Sequence, residues 1–134
     1  MASGAPRRCA AAALIAALAW PGGATAQTAW DCPPDTASLQ NPMPATLAAV
    51  AAGERLVRAS CRDCHGETGR GDGPAASALA RRPANWRASG VQAQTDGCIF
   101  WKLTSGRGNM PASKGMPEAD RWRIVRYIRS LATE

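Results

Sequence analysis

Cys61, Cys64 and His65 stand within five positions of one another in the stretch CRDCHGETGRGDGP (61–74), and His65 is the chain's single histidine. Two thiols separated by two residues lie about one helical turn apart. That spacing suits thioether bonds to the two vinyl groups of one haem, and a histidine directly after the second thiol can ligate the iron. Rival uses of the cysteines need features that are missing. A thioredoxin-like redox pair calls for a βαβ setting, a structural zinc site calls for further ligands at similar spacing, and a plain Cys61–Cys64 disulfide leaves the neighbouring histidine without a role. The expected cofactor is therefore one covalently bound haem c with its iron.

The start of the chain agrees with this. Arg7 and Arg8 are followed by the apolar run CAAAALIAALAW (9–20), a Pro21-Gly22-Gly23 break and the small-x-small sequence Ala24-Thr25-Ala26. This is the pattern of a cleaved secretory signal, here residues 1–26, and it predicts a periplasmic protein. Haem c is attached outside the cytoplasm, so the two features support each other. No later segment approaches about 18 continuous apolar residues, and no membrane span is expected in the mature chain. The formal charge is +6, from 16 Lys and Arg against 10 Asp and Glu. The arginines are scattered, without the dense basic block or aromatic platform of a nucleic-acid binder, so no nucleic-acid partner is expected. Beyond the expected signal the aromatics are one Phe, one Tyr and four Trp (Trp30, Trp86, Trp101 and Trp122), a modest supply for a core that a large apolar cofactor would help fill.

The elements that must position the site are helices. Residues 27–45 are proline-rich and polar and predict an irregular N-terminal extension. From Thr46, a candidate N-cap, the run TLAAVAAGERLVRAS puts Leu47, Val50, Gly53, Val57 and Cys61 on one side at helical spacing. Residues 66–73 (GETGRGDG) form turns, residues 74–80 a short helical piece, and residues 81–95 an irregular connection. Residues 96–105 predict a short helix, followed by the loop GRGNMPASKGMP. The last helix is the clearest element, running from Pro117 through Leu131, with Ile124, Val125, Tyr127, Ile128 and Leu131 on one face and Arg123, Arg126 and Arg129 away from it. Trp122 is assigned to cation–π packing with Arg126 and Arg129. No strand-like alternation is long enough for a sheet, and the predicted class is all-α with long loops.

These residues together resemble a bacterial class I monohaem cytochrome c, over roughly residues 45–131. Gly53, eight residues before Cys61, matches the glycine at which the first helix of that family crosses the last, and Tyr127 matches the aromatic residue packed at the crossing. Pro74 matches the proline whose carbonyl accepts a hydrogen bond from the ligand histidine's second ring nitrogen, and Met110, in GRGNMP, matches the sixth ligand. The C-terminal DRWRIVRYIRSL is also typical. The resemblance implies a small domain, residues 46–134, with helices and long loops wrapped around one haem. A thioether is a soft neutral donor that favours ferrous iron. Met116, in the same loop, and Met43, in the extension, are the other candidates for that position. Trp101 and Arg107 match donors to the haem propionates in related proteins, with ordinary packing or solvation as the alternative.

Cys32 and Cys98 remain, an even pair in an oxidising compartment, and the expectation is a disulfide that pins the extension to the helix containing Cys98. The implied function is to carry single electrons between redox proteins rather than to act as an enzyme. Expected partners are periplasmic or membrane-bound dehydrogenases, reductases or terminal oxidases. Arg62, Arg70, Lys102, Arg107 and Lys114 are candidates for a positive docking rim, with a merely solvated basic surface as the alternative. The alternative role is that of a cytochrome subunit bound tightly to a periplasmic dehydrogenase or reductase. A gas-binding or peroxidatic haem needs an open sixth position, against which Met110 in its motif argues.

Overall fold

A computed structural model describes Met1 and residues 30–133. The expected signal segment, Met1 apart, lies outside the described residues. The helices are α1 (Leu47–Ser60), α2 (Arg62–His65), α3 (Ser89–Gln92), α4 (Asp96–Ser105) and α5 (Glu118–Ser130), with 3-10 turns at Pro34–Ser38, Ala76–Ala78 and Leu131–Thr133. Among the described residues the sole β-type pairing is an isolated bridge between Arg107 and Met110. The class is all-α, as the sequence pattern predicts.

Helices α1 and α4 each begin at a threonine. Thr46 Oγ1 accepts from Ala49 N at 3.2 Å, and the Thr95 side chain accepts from Cys98 N at 3.2 Å. Each bond satisfies one of the amides that the first helical turn leaves unpaired. Pro117 stands just before α5, with Glu118 and Asp120 in the first turn, where carboxylates complement the helix dipole.

The frame is the crossing of α1 over α5. Gly53 is buried there, and a Cβ on it would overlap the Arg123 carbonyl and lie 3.0 Å from Tyr127 Cβ. A hydrogen at this position is what lets the two backbones meet. Val57, Ile124, Val125 and Ile128 fill the space beneath the crossing and are the largest fully buried side chains. Leu47, expected on the inner side of α1, is 89% exposed, because it sits one turn before α1 reaches α5.

Residues 30–45 are not helical apart from one 3-10 turn, yet they are fastened down. Cys32 and Cys98 form a disulfide with α-carbons 5.4 Å apart, as expected from the pairing of leftover cysteines. Arg126 Nε donates to the Met43 carbonyl at 2.8 Å, and Asn41 Nδ2 to the Trp122 carbonyl at 3.1 Å. Gly97 of α4 faces the Thr36 carbonyl so closely that a Cβ would overlap it. The arginines of α5 therefore do structural work: Arg129 Nε donates to Asp96 Oδ1 at 2.7 Å and its Nη1 to the Gln92 carbonyl at 2.7 Å, and a further bond reaches the Gln94 carbonyl.

Trp122 corrects the sequence assignment. It is 3% exposed, stacks on Phe100 at a 3.9 Å ring separation and donates through Nε1 to Glu118 at 3.3 Å. The cation over this pair is Arg121, 4.8 Å from the Phe100 ring. Arg126 and Arg129 are engaged by the extension and by Asp96 instead.

Candidate haem site

Cys61 ends α1 and opens α2, so both thiols and the histidine ride on one short turn. His65 N and Cys64 N bond back to the Cys61 carbonyl at 2.9 and 3.2 Å. A helix of four residues leaves its last carbonyls without partners inside it, and the glycine-rich stretch supplies them. Gly66 N donates to Arg62 O at 2.8 Å, Ala75 N to Asp63 O at 2.8 Å, Gly73 N to Cys64 O at 3.2 Å and Gly71 N to His65 O at 2.9 Å. Residues 66–75 thus form one continuous cap over the C-terminal end of α2. Gly73 passes so close that a Cβ would meet the Arg62 and Asp63 carbonyls.

The same loop draws in the next segment. Trp86 N donates to the Gly69 carbonyl at 2.8 Å, which carries residues 83–86 alongside α2. His65 is 7% exposed, and its Nδ1 lies 3.2 Å from the Ala84 carbonyl. A carbonyl can only accept, so this contact assigns the proton to Nδ1 and leaves the Nε2 lone pair for a metal. Burial lowers the His65 pKa, opposed by the Ala84 hydrogen bond, and the neutral form needed for ligation is favoured. Trp86 stacks on the imidazole, with ring centroids 4.3 Å apart and planes inclined by 20°.

The expected partner of Nδ1 was the Pro74 carbonyl, and the structure gives Ala84 instead. Gly73 and Ala75 are committed to capping α2, so the chain leaves His65 at an exposed Pro74 and turns through Ala76–Ala78. It returns to the histidine ten residues later.

Among the described residues the free cysteines are Cys61 and Cys64, both half-buried, while Cys32 and Cys98 are bonded to each other. Burial, reinforced by the neighbouring Cys64, pushes the Cys61 thiol up to about 11. Two unoxidised thiols one turn apart beside a buried imidazole form a donor set that fits haem c.

Met110 is half-buried against the core at the end of a tight loop. Its backbone pairs with Arg107, Arg107 N to Met110 O at 2.9 Å and Met110 N to Arg107 O at 3.0 Å, and Ser113 N ties the loop back to Leu103 O of α4 at 3.0 Å. Met43 and Met116 also pack partly buried on the core, so burial does not distinguish the three; the braced loop belongs to Met110.

Trp101 and Arg107 meet at a residue that the sequence reading passed over. Trp30 packs edge-on against Trp101 at 6.4 Å, with Arg107 5.9 Å and Lys102 5.5 Å from its ring. Lys102 Nζ also donates to Gln94 Oε1 at 2.6 Å, and its pKa is lowered by burial, opposed by Asp31 and aided by Arg107. The signal for Trp30 was its place two residues before Cys32. A groove of about 650 Å³ between the start of α1 and α5, lined by Met43, Ala48, Ala52, Leu56, Arg55 and Arg123, contains none of Cys61, Cys64, His65 or Met110.

The family described as cytochrome c oxidase, cbb3-type, subunit III matches residues 48–128, which run from the first turn of α1 to the end of the α5 core face. The chain belongs to that cytochrome c family. The domain accordingly binds haem c covalently, and its chemistry is electron transfer. A solved chain of the Kuenenia stuttgartiensis reducing HAO-like protein complex is similar, with 25% identity and a TM-score of 0.61, over 69% of this cytochrome and 49% of that chain. The cytochrome thus spans about half the length of its structural relative. No curated protein matches the sequence. Among the described residues, no helix is long and apolar enough to cross a membrane.

Proposed function

We propose that this cytochrome is a periplasmic carrier of single electrons, with haem c bound through Cys61 and Cys64 and its iron held by His65 and Met110. The observation that carries the proposal is the placement of His65: buried, and with Nδ1 occupied by the Ala84 carbonyl, so that Nε2 is the nitrogen offered to a metal beside two free thiols. Bound haem supplies a one-electron ferric/ferrous couple. Filling both axial positions favours electron exchange over bond chemistry at the iron. Trp101 and Arg107, gathered at Trp30, supply candidate donors for the propionates. The partners are other redox proteins, and the exposed basic side chains of Arg70 and Lys114 steer encounters with an acidic surface, whereas Arg62 is paired with Glu67 and Asp63.

The ferric absorption spectrum of the exported holoprotein tests the ligand set. The weak far-red band of methionine sulfur on low-spin iron is expected in the wild type, in Met43→Ala and in Met116→Ala, and is expected to vanish in Met110→Ala. Persistence of the band in Met110→Ala would remove Met110 from the iron. A second reading, a cytochrome subunit of a larger redox enzyme, is favoured by the likeness to a chain from a protein complex, of which the matched region makes up about half. Copurification with a larger enzyme in fixed stoichiometry would support it, and a monomeric holoprotein from native extracts would exclude it.

A further inference from the structure

Trp86 lies in the segment expected to be irregular, and the proposed function leaves it without a role. The residue is 5% exposed, and its ring stacks on the imidazole of His65 at 4.3 Å. Its own position is held from three directions. Trp86 N donates to the Gly69 carbonyl at 2.8 Å. Gln92 Nε2 donates both to the Trp86 carbonyl at 2.6 Å and to the Ile128 carbonyl of α5 at 2.9 Å. Gly69 packs on the indole beside Leu131, so close that a Cβ there would overlap the ring. Arg129 Nη1, which bonds the Gln92 carbonyl at 2.7 Å, fastens this arrangement to α5.

We infer that Trp86 is a positioning residue for the haem ligand His65, fixing the rotation of the imidazole and excluding water from its face so that the reduction potential is raised. The inference rests on the reading that His65 ligates the iron. Its physical basis has two parts. The Ala84 carbonyl holds one atom of the imidazole, which leaves the ring free to rock about that contact; a flat, immobilised indole on one face removes the freedom. Ferric haem carries one more positive charge than ferrous haem, and nearby water stabilises the higher charge. A dry wall against the ligand therefore favours the ferrous state. Gln92 acts one step further out, by holding the Trp86 backbone to α5.

Proton NMR of the ferrous holoprotein tests the geometry in the native molecule. The His65 ring protons are expected far upfield, shifted by the ring current of the haem to which they are bound, with through-space contacts to the Trp86 indole. Upfield His65 protons without those contacts would overturn the inference and leave the ligation reading intact; an unshifted His65 would overturn both. Potentiometry of two variants then tests the consequence. Trp86→Leu, with its far-red band retained, is expected to shift the reduction equilibrium toward the ferric state three- to tenfold, where tenfold corresponds to about 59 mV for a one-electron couple. Trp86→Phe keeps an aromatic wall and is expected to stay within twofold of the wild type. An unchanged potential in Trp86→Leu, or equal shifts in the two variants, would refute the role assigned to the indole. Should Trp86→Leu fail to fold, the NMR contacts decide on the wild type alone.

Discussion

Gly53→Ala and Gly90→Ala make the same chemical change inside helices and are expected to move stability in opposite directions. Alanine is favoured over glycine in a helix by roughly 0.5–1 kcal/mol, because glycine loses more backbone freedom on folding. Gly90, in the exposed single turn α3, has nothing within 4 Å of a built Cβ, so it receives that gain alone. Gly53 receives it too, but its Cβ would overlap the Arg123 carbonyl and press on Tyr127 Cβ at 3.0 Å. The obstacle is backbone, which cannot rotate away as a side chain can. α1 must move off α5, loosening the contacts of Val57, Ile124 and Tyr127 beneath the crossing. Overpacking of a well-packed contact costs about 1–3 kcal/mol, and the upper part of that range applies to a rigid neighbour. Subtracting the helix gain leaves a net loss of about 1–2 kcal/mol for Gly53→Ala. For a domain of this size that lowers Tm by roughly 5–15 °C, against a rise of a few degrees for Gly90→Ala. Thermal unfolding of the two holoproteins, followed by far-ultraviolet circular dichroism, reads both. A Gly53→Ala protein as stable as the wild type would refute the close crossing and the account of why glycine stands there.

Opening the disulfide with the double substitution Cys32→Ser, Cys98→Ser, whose partners are 66 residues apart in sequence, is expected to cost about 2–4 kcal/mol in guanidinium unfolding, because the link restricts a long loop of the unfolded chain. Full stability in that variant would show that the hydrogen bonds from Arg126 and Asn41 hold the extension unaided. Arg129→Met keeps most of the side-chain volume and removes the bonds to Asp96 and to the Gln92 and Gln94 carbonyls, leaving Asp96 with Arg126 at 3.7 Å. Hydrogen bonds to a charged group contribute about 1.5–3 kcal/mol, so a loss of about 2–3 kcal/mol is expected in the same assay, and a change below about 0.5 kcal/mol would count against the clamp.

Much of this molecule is local information and was readable from residue order. The spacing of Cys61, Cys64 and His65 describes one helical turn wherever that turn sits. The caps at Thr46 and Thr95 and the apolar face of α5 follow from helix geometry that a dozen residues contain. Gly53 and Tyr127 could be placed at a crossing because their spacing matched a known pattern, and Cys32 and Cys98 could be paired because they are the even pair left once the haem-type motif and the expected signal segment take the other cysteines. The long-range partners were not readable. Trp122 was assigned to the arginines of its own helix, whereas its ring meets Phe100 of α4. Trp30 gained its role from a disulfide that brings the extension to Trp101 and Arg107, and the irregular extension, expected to be pinned at Cys32 alone, is also held by hydrogen bonds at Asn41 and Met43. Trp86 was one aromatic among several until the glycine-rich loop capped α2 and drew residues 83–86 onto His65. The histidine's hydrogen-bond acceptor moved from Pro74 to Ala84 for the same reason. Every residue carries a backbone carbonyl, so no side-chain type marks which one will reach the imidazole, and the path of the folded chain decides it.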